Sequence, residues 1–509
     1  MPNTLGLHRL RCLHRVHLLT CWALFAALSL GACGGGGSGG GGTSSPPPGT
    51  PPPPTSGYTV GGTVSGLVGS GLTLAICTPV LHPIPRQPVS TCYTEPPIRA
   101  NGAFTLGAAY PAGYSGGDYV IIFQQPSSPT QNCVISNTTI SIQNANDTSV
   151  TVSCLPEHAY VTNAADNTLW SYSVDATTGA LAVIGAPTAT GASPHAIVGF
   201  YCCDEGALKV KYVYVANEGS NDVSAFAVDI TTGALTAVPG SPFPAGTDPQ
   251  AMALYGSLLF VANAGSDNVS AYTIDMSTGA LTALPGSPVA VGKSPTSIVV
   301  DPNNGIVFVA NHGGSNDISA FYFYNLIPVP GSPFPAGGNP LSLALTFWQG
   351  GMFLYTANPD ATNPSISGFS VSGFSDPPTL GAFSPLSGSP FPQPVSHYIA
   401  TTPVGLYIST GPGGSHQIPY LYVTSGASIL GYASDIATGA LTALPGFPVS
   451  AGANAYSVSI DPTNQFLYVA NDGAANISGF RLDAATGALT PMPGSPFPAG
   501  KHPEFIATF

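Results

Sequence analysis

From residue 58 onward the chain is written in short apolar runs separated by glycine, proline, aspartate and asparagine, a rhythm of strands and turns rather than helices. Between 58 and 154 the runs "YTVGGTVSGL", "GAFTLGA", "DYVIIFQQP" and "TSVTVSC" alternate apolar with polar residues. Strands with one wet face and one dry face are expected, and the segment 58–154 reads as a small β-sandwich. Beyond 155 the pattern changes to continuous apolar strands that recur. "YVTN" at 160 returns as "YVAN" at 214, "FVAN" at 260 and 308, "YTAN" at 355, "YVTS" at 422 and "YVAN" at 468, with separations of 54, 46, 48, 47, 67 and 46 residues. Seven repeats at the period of a four-stranded blade predict a seven-bladed β-propeller over 155–509, and with it an all-β chain.

Each repeat runs through an apolar strand such as "SIVVD" at 297, a turn, the YVAN strand, a polar loop, an alternating strand such as "VSAFAVD" at 223, and a turn followed by "ALTAVPG". The turn is "DxxTG" at Asp175, Asp229, Asp275, Asp435 and Asp483. Its Asp and Thr side chains suit bonding to nearby backbone N–H groups, and its Gly accepts positive φ. The heptapeptide "GSPFPAG" stands at 240–246, 331–337 and 494–500. Two prolines bar it from a helix or a central strand, so it is expected to be the crossover between blades. The last residues, "HPEFIATF" at 502–509, match an innermost strand with no YVAN strand behind it, whereas "YVTN" at 160 lacks an innermost strand in front. The two are expected to pair and close the ring, which removes the open sheet edge.

Composition narrows the function classes. The 509 residues include 62 Gly and 52 Pro, only 6% are charged, and the formal net charge is −13. After the first 32 residues the only cations are Arg86, Arg99, Lys209, Lys211, Lys293, Arg481 and Lys501. Nucleic acid is therefore not an expected partner, because phosphate binding draws on clustered Lys and Arg. Arg9, Arg11 and Arg15 precede an apolar run from Leu18 to Leu30, an export signal over 1–32. The Gly/Ser/Pro-rich stretch 33–57 has no core-forming residue and reads as a tether. In an oxidising compartment Cys77 is expected to pair with Cys92, and Cys133 with Cys154, each closing a short β excursion. The adjacent Cys202 and Cys203 read as a buried or interchain thiol pair, because a bridge between neighbours is strained.

Three resemblances add to this. "LSLGAC" resembles a bacterial lipobox, which implies that Cys33 becomes the lipidated first residue of a membrane-anchored lipoprotein of the cell envelope, at the outer membrane. The segment 58–154 resembles small immunoglobulin-like modules of bacterial surface lipoproteins. The YVTN-type repeats with "TGAL" turns resemble the lactonase-type β-propeller family, which includes the bacterial 6-phosphogluconolactonases and the propeller muconate cycloisomerases. That last resemblance covers about 158–509 and implies a site at the mouth of the central channel. The family pattern is a His and an Arg at the starts of inner strands, a Glu after a YVAN-type strand and a further Arg on a later inner strand. Such groups activate water and stabilise the oxyanion of a lactone carbonyl. In the repeat register these positions fall on Thr296, Leu341, Pro359 and Tyr456, none of which matches.

The same register sets Glu504, His195, Gln250, Thr296, Leu341, His397 and Tyr456 at equivalent first positions of the seven inner strands. His195, Glu504, His397 and Tyr456 are neighbours around the ring and are the candidate catalytic groups, since a His beside a carboxylate is a possible general base. Gln250 and Thr296, with Glu218, His312 and Asp472 after the YVAN strands, are the candidate ligand rim. His195, His397 and Glu504 are of a type that suits zinc, but their spacing is no recognised motif. No metal or cofactor is assigned. The expected function is a membrane-tethered, monomeric binding or interaction module for an unknown small-molecule or protein ligand. The alternative is a lactone hydrolase, or a related isomerase, working at the channel mouth.

Overall fold

The computed structural model describes residues 57–509 except 81–88, 112–113, 115–116, 127–130, 144, 205–206, 349–350, 360–363, 373–381, 393–398 and 402–419. Cys33, the signal and the tether to residue 56 lie outside the described residues, as does His397. The chain forms two compact units, the first comprising the residues to Leu155 together with Cys203–Leu208 and the second Pro156–Cys202 and Lys209–Phe509. No helix among the described residues is long and apolar enough to cross a membrane.

The first unit is a β-sandwich. One sheet runs in the order Gly102–Tyr110, Tyr58–Ser65, Asp147–Leu155 and Asn132–Ser136, the other in the order Val89–Thr94, Thr73–Val80 and Tyr119–Gln124. Val60, Leu72, Leu74, Val120, Val150 and Val152 fill the space between them. Disulfides join Cys77 to Cys92 and Cys133 to Cys154, each pair directly opposed on neighbouring strands.

The second unit is a seven-bladed β-propeller. Blade 1 takes Pro503–Thr508 as its inner strand, followed outward by Glu157–Asn163, Thr168–Val174 and Leu181–Ala189. The inner strands of blades 2 to 7 begin at Pro194, Pro249, Pro295, Ser342, Ile399 and Ala455. Among the described residues the second strands, such as Leu258–Asn263, are buried along almost their whole length, which explains the continuous apolar run: a blade interior is covered on both faces. The core lies between blades. Seven clusters of buried side chains each join two consecutive blades, for example Tyr214 and Val223 of blade 2 with Leu259 and Val261 of blade 3, and Tyr172 of blade 1 with Tyr468 of blade 7.

The heptapeptide differs from its expected role. Phe243–Pro244 pairs with Asp222 and Val223 on the third strand of blade 2, and Phe334–Pro335 and Phe497–Pro498 do the same in blades 4 and 7. In blades 2 and 7 the segment thus completes the outer strand begun by Leu235–Ala237 or Leu489–Pro491, and only then leads to the next blade. Proline is tolerated there because the strand is an edge whose outward N–H groups face no ladder. The serine supplies the bond that the interruption removes: the hydroxyl of Ser241 accepts from Ala225 N–H at 2.9 Å, and Ser287, Ser332, Ser389 and Ser495 do so in their own blades.

Candidate functional site

The first positions of the inner strands owe their placement to β-bulges. In blades 3, 4 and 7 the pairing jumps past Gln250, Thr296 and Tyr456, and in blade 1 the shift falls between Pro503 and Ile506, which includes Glu504. A bulge leaves one residue unpaired and re-aims its side chain. It also turns that residue's carbonyl away from its own ladder, so a donor must come from elsewhere.

For Gln250 and Tyr456 the donor comes from the preceding blade, and the carbonyls of His195 and Leu341, at the same position of blades 2 and 5, are met in the same way. Thr162 Oγ1 of blade 1 donates to the His195 carbonyl of blade 2 at 2.7 Å, and His195 Nδ1 lies 2.7 Å from the Gln250 carbonyl of blade 3. Thr296 Oγ1 of blade 4 donates to the Leu341 carbonyl at 2.9 Å, and Thr424 Oγ1 of blade 6 donates to the Tyr456 carbonyl of blade 7 at 3.0 Å. A carbonyl only accepts, so the contact with Gln250 fixes the proton of His195 on Nδ1 and leaves Nε2 as an acceptor. Tyr456 donates its hydroxyl to Nε2 at 3.0 Å. The His195 ring is buried, 1% exposed, with Phe505 packed against it at 4.8 Å and Tyr456 edge-on at 5.9 Å. Burial pushes its pKa down to about 4, outweighing the opposing effects of the Gln250 carbonyl and Asp248, so the ring is neutral at pH 7.

Glu504 sits beside this pair, with Oε2 3.7 Å from His195 Nε2, too long for a hydrogen bond. Burial, and then the negative charges of Glu218 and Asp472, push its carboxyl up to about 8. Glu218 is itself shifted upward by burial and by Asp248, while a hydrogen bond from Gln250 acts the other way. Gln250 Nε2 also donates to Asp248 Oδ1 at 2.5 Å. Asp472 accepts from His502 Nδ1 at 2.7 Å and from Asn454 Nδ2 at 2.6 Å.

The structure therefore brings His195, Tyr456, Glu504, Gln250, Glu218 and Asp472 into one neighbourhood spanning blades 7, 1, 2 and 3. Thr296 is engaged with Leu341, and His312 lies 3.4 Å from Asn339 through Nε2, its pKa lowered by burial. Three contributors escaped the sequence reading: Phe505, Thr162 and Thr424. The two threonines carried a signal. They replace the alanine of the YVAN strand only in blades 1 and 6, the blades immediately before His195 and Tyr456. No group of three or more His, Cys, Asp or Glu suited to a metal ion occurs among the described residues.

The family model described as "Lactonase, 7-bladed beta-propeller" matches residues 130–242, 157–291 and 245–326. Among solved structures, a protein of Bacteroides fragilis provisionally called a 6-phosphogluconolactonase is 19% identical, covers 70% of this chain and 98% of its own, and superposes with a TM-score of 0.53. A Lactobacillus plantarum protein is 17% identical over 70% of this chain and 100% of its own, at a TM-score of 0.53. A periplasmic gluconolactonase of Pseudomonas aeruginosa is 17% identical over 69% and 99%, at a TM-score of 0.50. At these identities the likeness is one of fold. No curated protein sequence matches the chain.

Proposed function

From a propeller of the lactonase seven-bladed type whose channel-mouth groups are bonded to one another, we propose a binding or interaction module, carried by a lipid-anchored protein of the cell envelope. One observation carries this reading: both ring nitrogens of His195 are committed, Nδ1 to the Gln250 carbonyl and Nε2 to the Tyr456 hydroxyl, in a ring with 1% exposure. A general base has to reach a substrate proton. His195 braces two blades instead. The positions that would carry the family's His, Glu and two Arg residues hold Thr296, Leu341, Pro359 and Tyr456, which neither activate water nor pair with an anion. The lipobox-like "LSLGAC" with Cys33, followed by the tether, supports anchoring, and a Cys33→Ser protein that still carried a labelled acyl chain would sink that part of the reading. The module reading is tested by offering the purified protein a broad panel of unphosphorylated lactones and following acid release. No turnover is expected. Hydrolysis that disappears in His195→Ala or Glu504→Ala would overturn it.

A lactone hydrolase is the second reading, favoured by Glu504 alone. Its carboxyl is raised to about 8, so it holds a proton at neutral pH, and its side chain keeps 16% exposure. That state suits a general acid. Turnover falling as pH rises through about 8, and lost in Glu504→Gln, would establish this reading over the first.

A further inference from the structure

Two carboxyl groups that the channel mouth does not use meet where blade 7 joins blade 1. Asp461 follows the inner strand Ala455–Ile460 of blade 7 and is wholly buried. Its carboxylate accepts from the backbone N–H groups of Thr463 at 3.0 Å, Gln465 at 2.9 Å and Phe466 at 2.5 Å, and from the Thr463 hydroxyl. Glu157 opens the second strand of blade 1, and its buried Oε1 has no partner. It is brought to the same corner as Asp461 because Thr508 of blade 1 donates its hydroxyl to the Ile460 carbonyl at 3.2 Å while the next residue, Phe509, exchanges backbone bonds with His158, and there the two carboxyl groups interact. The donors of the turn converge on Asp461, which identifies it as the ionised member, because donors of this kind stabilise a carboxylate. A carboxylate accepts only, so for the two groups to bond, the proton must lie on Glu157.

Among the described residues, no positive charge acts on Glu157 that would let it ionise. Tyr201 faces it from the inner strand of blade 2, and Tyr468 from the second strand of blade 7, where Tyr468 also senses Asp175 from the turn of blade 1. These groups are neutral or anionic. Arg481 of blade 7 lies over the Phe466 ring at 5.2 Å and donates to the Thr177 carbonyl. His158, the next residue in the strand, is depressed by burial and interacts with Asp229 of blade 2.

We propose that Glu157 and Asp461 form a proton-held latch across the seam that closes the ring, with Glu157 donating to the Asp461 carboxylate, and that removing this proton loosens the joint between blades 7 and 1. Burial and the Asp461 charge both move the Glu157 carboxyl above its ordinary range. The sign follows. Folded protein holds a proton that unfolded protein releases above about pH 4.3, so the stabilisation is full below that value and is lost as pH rises through the folded one.

The test compares the full chain with its Glu157→Gln variant by denaturant unfolding from pH 5 to 9, and by the infrared difference spectrum at pH 7. Glutamine keeps a donor for Asp461 without a titrating proton. The unfolding constant of the wild type should rise relative to the variant by up to about tenfold per pH unit, and the difference spectrum should show one protonated carboxyl in the wild type. Glu504 is present in both proteins and cancels. Parallel pH profiles, or no carboxyl band in the difference, would overturn the latch. Should Glu157→Gln fail to fold, Asp461→Asn serves: its amide donates to Glu157 and lets it ionise, so the band should vanish, and a retained band would count against the latch. The outcome does not depend on what the channel mouth binds.

Discussion

At the scale of single residues, His195 is a brace whose chemistry is fixed by two neighbours. Replacing it with alanine leaves the Gln250 carbonyl buried without a donor and opens a cavity beside Phe505, a loss of about 2 to 4 kcal/mol in urea unfolding. The same variant should alter the acid limb of stability. The folded pKa of about 4 lies below the ordinary 6.5. Unfolded protein therefore takes up a proton between those values and folded protein does not. Stability is full above pH 6.5 and falls as pH drops toward 4, by at most about 1.4 kcal/mol per pH unit. His195→Ala should flatten that slope, and an unchanged slope would show that the ring titrates normally. The sequence register brought His195, Tyr456 and Glu504 together, because equivalent positions of a repeat converge on the axis. It could not reveal that they satisfy one another. The bulge carbonyls and their donors lie in different repeats, so the relation is invisible within any one of them.

At the scale of the blade, the tyrosine of the YVAN strand reaches the turn of the next blade. Tyr160, Tyr214, Tyr355, Tyr422 and Tyr468 donate to the carbonyls of Gly233, Gly279, Gly439, Gly487 and Gly179 at 2.7 to 3.0 Å. The glycines sit at positive φ, and a Cβ on Gly279 would come within 2.5 Å of the Tyr212 ring. Blade 4 lacks the DxxTG letters but keeps the turn. Leu326 N–H bonds the Tyr322 carbonyl at 2.9 Å as Gly233 bonds Asp229, with Leu326 held at φ 59° and packed in the same cluster as Phe260. Where leucine replaces glycine, the preceding blade carries phenylalanine in place of tyrosine. Phe260→Tyr alone should destabilise by about 1 to 3 kcal/mol, since its hydroxyl would be buried against Leu326. Combining it with Leu326→Gly should recover at least about 1 kcal/mol of coupling in a double-mutant cycle, and strict additivity would refute the exchange. The proline heptapeptide teaches a similar lesson. Its prolines announced a break, and the break is real, but Ser241 plugs it. Ser241→Ala should therefore cost about 1 kcal/mol in thermal or urea unfolding, through the orphaned Ala225 N–H, whereas a plain connector would lose nothing. Repetition made the blades legible, while pairings that cross from one repeat to the next become visible only in three dimensions.

At the scale of the whole molecule, ring closure and charge set the behaviour. Ile506, Ala507 and Thr508 pair with Val161, Tyr160 and Ala159, and His158 and Phe509 exchange backbone bonds at 3.1 and 2.9 Å. Removing Glu504–Phe509 would strip the inner strand from blade 1 and leave several buried groups unpaired, at about 1 to 3 kcal/mol each. Against a domain stability of about 5 to 15 kcal/mol, the truncated chain should fail to fold or should associate through the open edge. Thermal unfolding and sizing beside the full chain decide it, and identical behaviour would remove Glu504 from the site. Charge makes a second statement. Glu218 and Asp472 act on Glu504, Lys293 is paired with Asp267 at 2.5 Å, and Lys501 lies 3.8 Å from Asp166. A phosphorylated lactone should therefore bind or react less well than the plain lactone, and competition between the two would expose a contrary preference. The closing strand also dictates an order of events. Thr162, in the first blade to be synthesised, is bonded to Phe505 across 343 residues of chain. Blade 1 must remain an open three-stranded sheet while the other six blades are made, exposed to any passing strand. The hazard of misassembly in this protein is therefore one of waiting time, set by how quickly the far end of the chain arrives.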